Sequence, residues 1–482
     1  MQSIRFGLLL VWLTTAVSSA QASDGWTTLF DGKTLSGWKA SESADSFRVE
    51  NGAIVVHGPR SHLFYVGNGA GADFQNFELR AMVMTAPGAN SGFYFHTEFQ
   101  PTGFPKKGFE VQLNNSYVAQ GKFRELKKTG SLYGIRNQYK AIVPDNEWFP
   151  LDIVVTGKRA RVSACGVLLI DYVEPVLPSA GPNDTQRRLS HGTFALQCHD
   201  PNSKVFIKDI EVRRLAADAS GTVSEPAVAD DRDRQIAKLQ RGSVPVVDLH
   251  VHLKGGLTLE QALANSRKTG INYGIAVNCG VGFPITSDAG IRPFLDSMQG
   301  QPVFIGMQAE GREWVKLFSR EAIKQFDYVF TDAMTFTDDK GKRTRLWIKD
   351  EVSINDPQAF MEMYVRRIVG ILNDEPINIY VNATFLPDCI ASRYDELWTP
   401  QRMQKVIDAA AKNRIAVEIN ARYRIPSAAF IKRAKQAGVK FTFGTNNVDA
   451  NLGRLEYCLD MVDECGLTGN DMYLPEPRPR TP

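Results

Sequence analysis

Two folds in series are predicted for this chain of 482 residues, an all-β jelly-roll sandwich followed by an α/β distorted seven-stranded barrel. Three observations predict this multidomain layout. Up to about residue 215 apolar residues recur at alternate positions with no convincing helix; beyond residue 246 short apolar runs alternate with stretches of helical period; between the two lies a segment almost devoid of core residues. The length also exceeds what one ordinary core supports. The expected divisions are 1–22 for a signal peptide, 24–215 for the sandwich, 216–245 for a linker and 246–475 for the barrel.

At the start, Arg5 precedes an apolar run from Phe6 to Leu13, and small residues then lead to Ala20-Gln21-Ala22. That is the pattern of a secretory signal cut after Ala22, and it predicts a secreted or periplasmic protein. The run is too short to span a bilayer, and no later stretch approaches the roughly 20 apolar residues required, so membrane insertion is not expected. A formal charge of +3 gives no reason to expect nucleic acid or an anionic membrane as partner. Six irregularly spaced cysteines predict mostly free buried thiols, with Cys458 and Cys465 the one local pair open to bridging. No motif specifies an oligomeric state.

Within the first domain, Phe47-Arg48-Val49-Glu50 and Ala53-Ile54-Val55-Val56 flank Asn51-Gly52, a hairpin signature. Alternating runs follow at 77–84, 91–96, 108–113, 151–155, 167–172, 193–199 and 204–213. Strand parity puts Tyr94 with His96, groups Glu110, Gln112 and Asn114, and pairs Gln197 with His199. One sheet face would then be lined with groups that hold sugar hydroxyls and move protons. The alternative is a face that simply meets water. Gly67-Asn68-Gly69-Ala70-Gly71 lacks the strand-to-helix setting of a phosphate loop and reads as a loop.

Four segments carry a family resemblance: Phe30-Asp31-Gly32-Lys33-Thr34-Leu35-Ser36-Gly37-Trp38, Asn90-Ser91-Gly92-Phe93-Tyr94-Phe95, Gly108-Phe109-Glu110-Val111-Gln112 and Gly130-Ser131-Leu132-Tyr133. On these the first domain resembles the 3-keto-disaccharide hydrolase-like domain, a laminarinase-like jelly roll. The resemblance implies cleavage of glycosides already oxidised at C3. A C3 ketone acidifies the C2 hydrogen, so one base can remove it and let the C1 glycosidic oxygen leave, with water adding afterwards. Direct hydrolysis would need two opposed carboxylates, and the polar face offers one. Glu110 or His96 is expected to serve as acid or base, with Tyr94, Gln112, Asn114, Gln197 and His199 binding a small carbohydrate substrate.

From Ala216 to Pro245 the chain is small and charged, with a short helix expected near Arg234 to Arg241. Seven apolar strands follow at 246–250, 273–277, 303–308, 328–332, 377–382, 415–420 and 440–445. Helical stretches at 259–268, 357–372, 400–413, 427–437 and 454–465 separate several of them, which predicts a closed parallel barrel. The strands' C-terminal ends, where such barrels keep their sites, carry His250 and His252, Asn278, Glu310, Asp332, Asn382, Glu418 with Asn420, and Asn446 with Asn447. The only histidines after His199 are His250 and His252, two apart on a strand and so on one face. With Glu310, Glu418 and Asp332 they are suitable ligands for a divalent zinc, manganese or iron ion. Arg312, Arg345 and Arg422 lie just beyond strand ends, either as anion binders or as solvated loop charges.

On the His250-Val251-His252 opening, Glu310, Val417-Glu418-Ile419-Asn420 and Phe443-Gly444-Thr445, this half resembles the PHP (polymerase and histidinol phosphatase) family of metal-dependent hydrolases. The chain departs from that family's closing Gly-Ser/Thr-Asp-x-His, having Gly444-Thr445-Asn446-Asn447-Val448. Two readings of the whole chain stay open: a sandwich that cleaves 3-keto-glycosides beside a barrel of uncertain chemistry, or a glycan-binding sandwich beside a metal-dependent phosphoesterase barrel.

Overall fold

The computed structural model describes residues 25–67, 71–120, 123–176, 186–216, 230–337 and 342–476. The expected signal peptide and residues 217–229 of the expected linker lie outside these. Two antiparallel sheets form the N-terminal half in a jelly-roll-like arrangement. One has eight strands, and the other has five in the order Trp38–Ala40, Ser61–Tyr65, Thr193–Cys198, Ser91–Thr97, Phe109–Leu113. Between them lies one apolar core, built from alternate residues such as Phe77, Leu79, Ala81 and Val83 of the strand Phe77–Thr85. The Asn51-Gly52 hairpin forms, both residues having positive φ (49° and 78°) as its turn requires.

The helix Asp231–Arg241 starts on an Asp230 side chain that accepts from Asp233 N. Seven parallel strands then close a barrel in sequence order: Val247–Val251, Asn272–Cys279, Phe304–Ala309, Tyr328–Thr331, Ile379–Tyr380, Ala416–Asn420 and Phe441–Gly444. The helices between them are well capped. Thr258 makes a capping box with Gln261, and Pro357 and Pro400 open their helices behind Asp356 and Thr399. All six cysteines are free, Cys458 and Cys465 included. Among the described residues no helix is long and apolar enough to cross a membrane.

The two halves are joined by more than the intervening chain. A loop of the sandwich, residues 125–140, enters the N-terminal end of the barrel, where the Tyr139 ring packs among Val247, Leu249, Phe304 and Tyr328. Asn272 holds it by a pair of bonds, its Oδ1 accepting from Tyr139 N (3.0 Å) and its Nδ2 donating to Asn137 O (2.7 Å). Lys140 Nζ reaches the buried Asp327 at 2.8 Å, and Gln240 of the connecting helix accepts from Asn137 N. Tyr328 fills the barrel interior above Tyr139, its ring lying where a Cβ on Gly274 or Gly306 would be.

Candidate active site

Glu110 lies on the edge strand Phe109–Leu113, facing Tyr94 of the next strand. Its side chain does not stay over its own strand. It crosses Gly92, where an added Cβ would sit 2.4 Å from Oε1, and meets Gln197 two strands away. Tyr94 donates its hydroxyl to Glu110 Oε2 at 2.8 Å, and Gln197 Nε2 donates to Tyr94 Oη (3.0 Å) and Glu110 Oε1 (3.3 Å). The carboxyl is 7% exposed, and burial pushes it up to about 7, the Tyr94 bond offsetting only part of that rise. A group poised there can take or give a proton near neutrality. Gly92→Ala is expected to displace this carboxyl and lower turnover by about 100-fold with the fold retained, checked by kinetics beside circular dichroism.

His62 was not among the sequence candidates. It sits opposite Gln197 on Ser61–Tyr65, fully buried, with neither ring nitrogen bonded. Its ring meets Tyr94 and Phe104 edge-on at 5.5 and 5.7 Å, and burial pulls it down to about 4, which keeps it neutral at pH 7. A neutral imidazole presents one donor and one acceptor. Gln112 donates to Asn90 Oδ1 at 2.7 Å and leaves its buried Oε1 without a partner. His199, held by Asp200 at 2.8 Å, stacks on Phe123 at 5.5 Å. Phe104 and Phe123, each 45% exposed, border this group through His62 and His199. The face is therefore buried and partly unsatisfied, unlike a solvated sheet face.

Two sequence candidates go elsewhere. His96 leaves the Glu110 face because the strand Ser91–Thr97 takes three steps from Tyr94 to Thr97 while its partner takes two from Ala195 to Thr193. The extra residue is a bulge, with His96 at φ 54°, and it turns the ring onto Phe77 of the opposing sheet. Both its nitrogens are occupied, Nε2 by Gln75 O (2.9 Å) and Nδ1 by Ser190 N (3.2 Å). Asn114 lies beyond its strand's end and donates to Lys127 O at 2.9 Å, which anchors the 125–140 loop. That loop also borders the site, since Tyr133 N donates to Glu110 O while its hydroxyl donates to Glu125 at 2.7 Å.

At the barrel's C-terminal end the expected ligands are present but already engaged. His250 Nδ1 meets Glu418 Oε1 at 2.5 Å, and His252 Nδ1 meets Ala276 O at 3.0 Å. Glu418 reaches His250 only because Gly444 lies between, where a Cβ would overlap the carboxylate. Its other oxygen accepts from Asn382 N and Asn420 Nδ2. Asn278 donates to Glu310 and Asn382 to Asp332, each at 2.8 Å. Burial and the Asp332 charge raise Glu310. Among the described residues no group of three or more histidine, cysteine, aspartate or glutamate side chains could hold a metal ion. The five residues expected to do so, His250, His252, Glu310, Glu418 and Asp332, thus do not fit a metal centre. Their carboxylates accept from asparagine amides, backbone N–H groups or His250 instead, and of these five residues only His250 has a buried, unbonded side-chain atom, Nε2. Arg312 and Arg345 are likewise spent, on Glu375 and Glu351.

Fold and site define a β-sandwich domain whose polar face holds a buried carboxyl raised to about 7. Residues 25–213 match the model of the 3-keto-alpha-glucoside-1,2-lyase-like domain family. A 3-keto-disaccharide hydrolase of Bacteroides thetaiotaomicron is 29% identical over 111 residues, which are 22% of this chain and 38% of that protein's length. Among solved structures, one assigned as a glycosyl hydrolase of Parabacteroides distasonis is 24% identical and covers 40% of this chain and 94% of its own, with a TM-score of 0.34. Histidinol phosphate phosphatase of Lactococcus lactis is 13% identical and covers 48% of this chain and all of its own, with a TM-score of 0.36.

Proposed function

We propose that this is a secreted or periplasmic enzyme whose sandwich cleaves 3-keto-glycosides, with Glu110 as the base that removes the C2 proton. The carrying observation is Glu110 itself, a buried carboxyl that its surroundings hold at about 7, on a face bordered by the exposed rings of Phe104 and Phe123 at His62 and His199. In the first step the C2–H bond breaks, its proton passes to Glu110, and the electron pair forms the enolate of the C3 ketone. That pair then expels the C1 oxygen, which takes the proton from Glu110 and departs as the alcohol, leaving a C1–C2 double bond conjugated to the ketone. Water then adds across the double bond, its oxygen bonding C1 while Glu110, again a carboxylate, takes its proton and delivers it to C2. Tyr94 and Gln197 fix the carboxyl, and His62 and Gln112 supply unfilled hydrogen-bonding positions for sugar hydroxyls.

Glu110 as base predicts that turnover by the full chain rises with pH through about 7 and that Glu110→Gln abolishes this limb. Stability should move the other way. The folded carboxyl holds a proton up to about 7 that the unfolded one, near 4.5, has released, so unfolding becomes easier as pH rises between those values. A pH–rate profile beside urea midpoints at pH 5 and pH 8 checks both. A flat rate profile from the wild-type protein, or release of the aglycone unchanged in Glu110→Gln, removes this assignment. Activity that persists in Glu110→Gln and is lost on changing the barrel mouth would favour the alternative, in which the barrel alone is catalytic.

A further inference from the structure

The mouth of the barrel carries a second cleft, away from Glu110, of about 560 Å³. Arg422 and Arg424 enter it from the turn after the strand Ala416–Asn420, and Arg454 enters from just before the helix Glu456–Glu464. None of these three guanidiniums forms an ion pair among the described residues, whereas Arg312 and Arg345 do. Arg422 and Arg424 instead lie against the rings of Tyr423 and Tyr457, each 5.0 Å from the centroid. Stacking of that kind leaves the planar N–H edge of a guanidinium free to grip an oxyanion. Two carboxylates share the cleft. Asp449 accepts from Asn451 N at 2.9 Å, and Glu456 occupies the first turn of its helix, where the backbone dipole favours a negative charge.

The turn that presents the arginines is braced. Asn420 and Ile425 exchange backbone bonds, and Asn420 Oδ1 accepts from Tyr423 N at 2.9 Å. Two lining residues, Arg424 (φ 54°) and Asn446 (φ 44°), hold left-handed backbone that only a well-supported structure retains. Such strain gathers where ligands are gripped. Asn446 also links the cleft to the interior, donating to Asn382 Oδ1 at 3.2 Å, and Asn382 in turn donates to Asp332. The wall behind the arginines thus contains carboxylates hydrogen-bonded by asparagine amides.

We propose that this cleft binds an anionic sugar without a metal ion, its carboxylate or phosphate gripped by Arg422, Arg424 and Arg454 and its hydroxyls by the asparagines behind them. The test titrates the full chain, in excess chelator, with D-glucuronate, inorganic phosphate and neutral glucose by calorimetry. The expected result is saturable binding of glucuronate or phosphate, none of glucose, and at least a tenfold weaker affinity in both Arg422→Ala/Arg424→Ala and Arg454→Ala. Preference for glucuronate assigns a carboxylate ligand, and preference for phosphate a phosphorylated one. Binding that appears only after zinc or manganese is added, that survives unchanged in the arginine variants, or that is absent for both anions overturns the proposal. Glu110→Gln should leave these affinities unaltered, so the outcome is independent of the sandwich's chemistry.

Discussion

Glu110→Gln is expected to lower cleavage of a 3-keto-glycoside by about 100- to 10,000-fold, the range that removal of a positioned acid or base produces. The substitution keeps the side chain's shape, so it can still cross Gly92 and meet Tyr94 and Gln197. It also removes a group whose charged form burial disfavours, so the variant should be no less stable than the parent at pH 8, where that group is ionised. His96→Ala supplies the contrast. Its loss unpairs Ser190 N and Gln75 O and opens a gap against Phe77, so stability should fall by about 1–3 kcal/mol. The folded fraction should keep the parental pH–rate profile, because His96 faces away from Glu110. Measuring rate per folded molecule separates the two residues that strand parity alone places together.

That separation shows where sequence reading succeeds and where it stops. All seven barrel strands are legible because buried parallel strands are short apolar runs with helices between them. The Glu110 face was legible as well, through alternation on three strands. Ser61–Tyr65 was not, because four of its five residues are buried and no polar alternation marks it, so His62 went unread. His96 was misplaced because parity counting assumes no bulge, and the signs of this one are remote. They are Gly108 and Gly192, whose missing side chains let backbone pass within 2.3 Å of where a Cβ would lie at each. A metal centre was expected from strand-end residue types. The strand ends bring asparagine amides onto those carboxylates, and the pairing of amide with acid is set by strand register rather than by local sequence.

Least legible was the docking of the two halves, which no periodicity encodes, and Tyr139→Ala is expected to expose its weight. The ring closes the N-terminal end of the barrel under Tyr328, so truncation leaves a cavity whose cost for a large aromatic is about 3–5 kcal/mol. Urea denaturation of the full chain should show an earlier loss of barrel structure. The effect should not stop there. Residues 125–140 are one loop with two duties: Tyr139 and Lys140 plug the barrel, while Glu125 and Tyr133 stand beside Glu110. Loosening the plug frees the end of the loop that borders the carboxyl, so turnover should fall in folded protein too, through kcat more than KM. Lys140→Met, which removes the cation paired with the buried Asp327, should reproduce both effects. If either variant loses barrel stability yet cleaves substrate at the parental rate, the barrel is a passenger of the sandwich; if both measures fall together, it is the brace that holds one wall of the catalytic face in place.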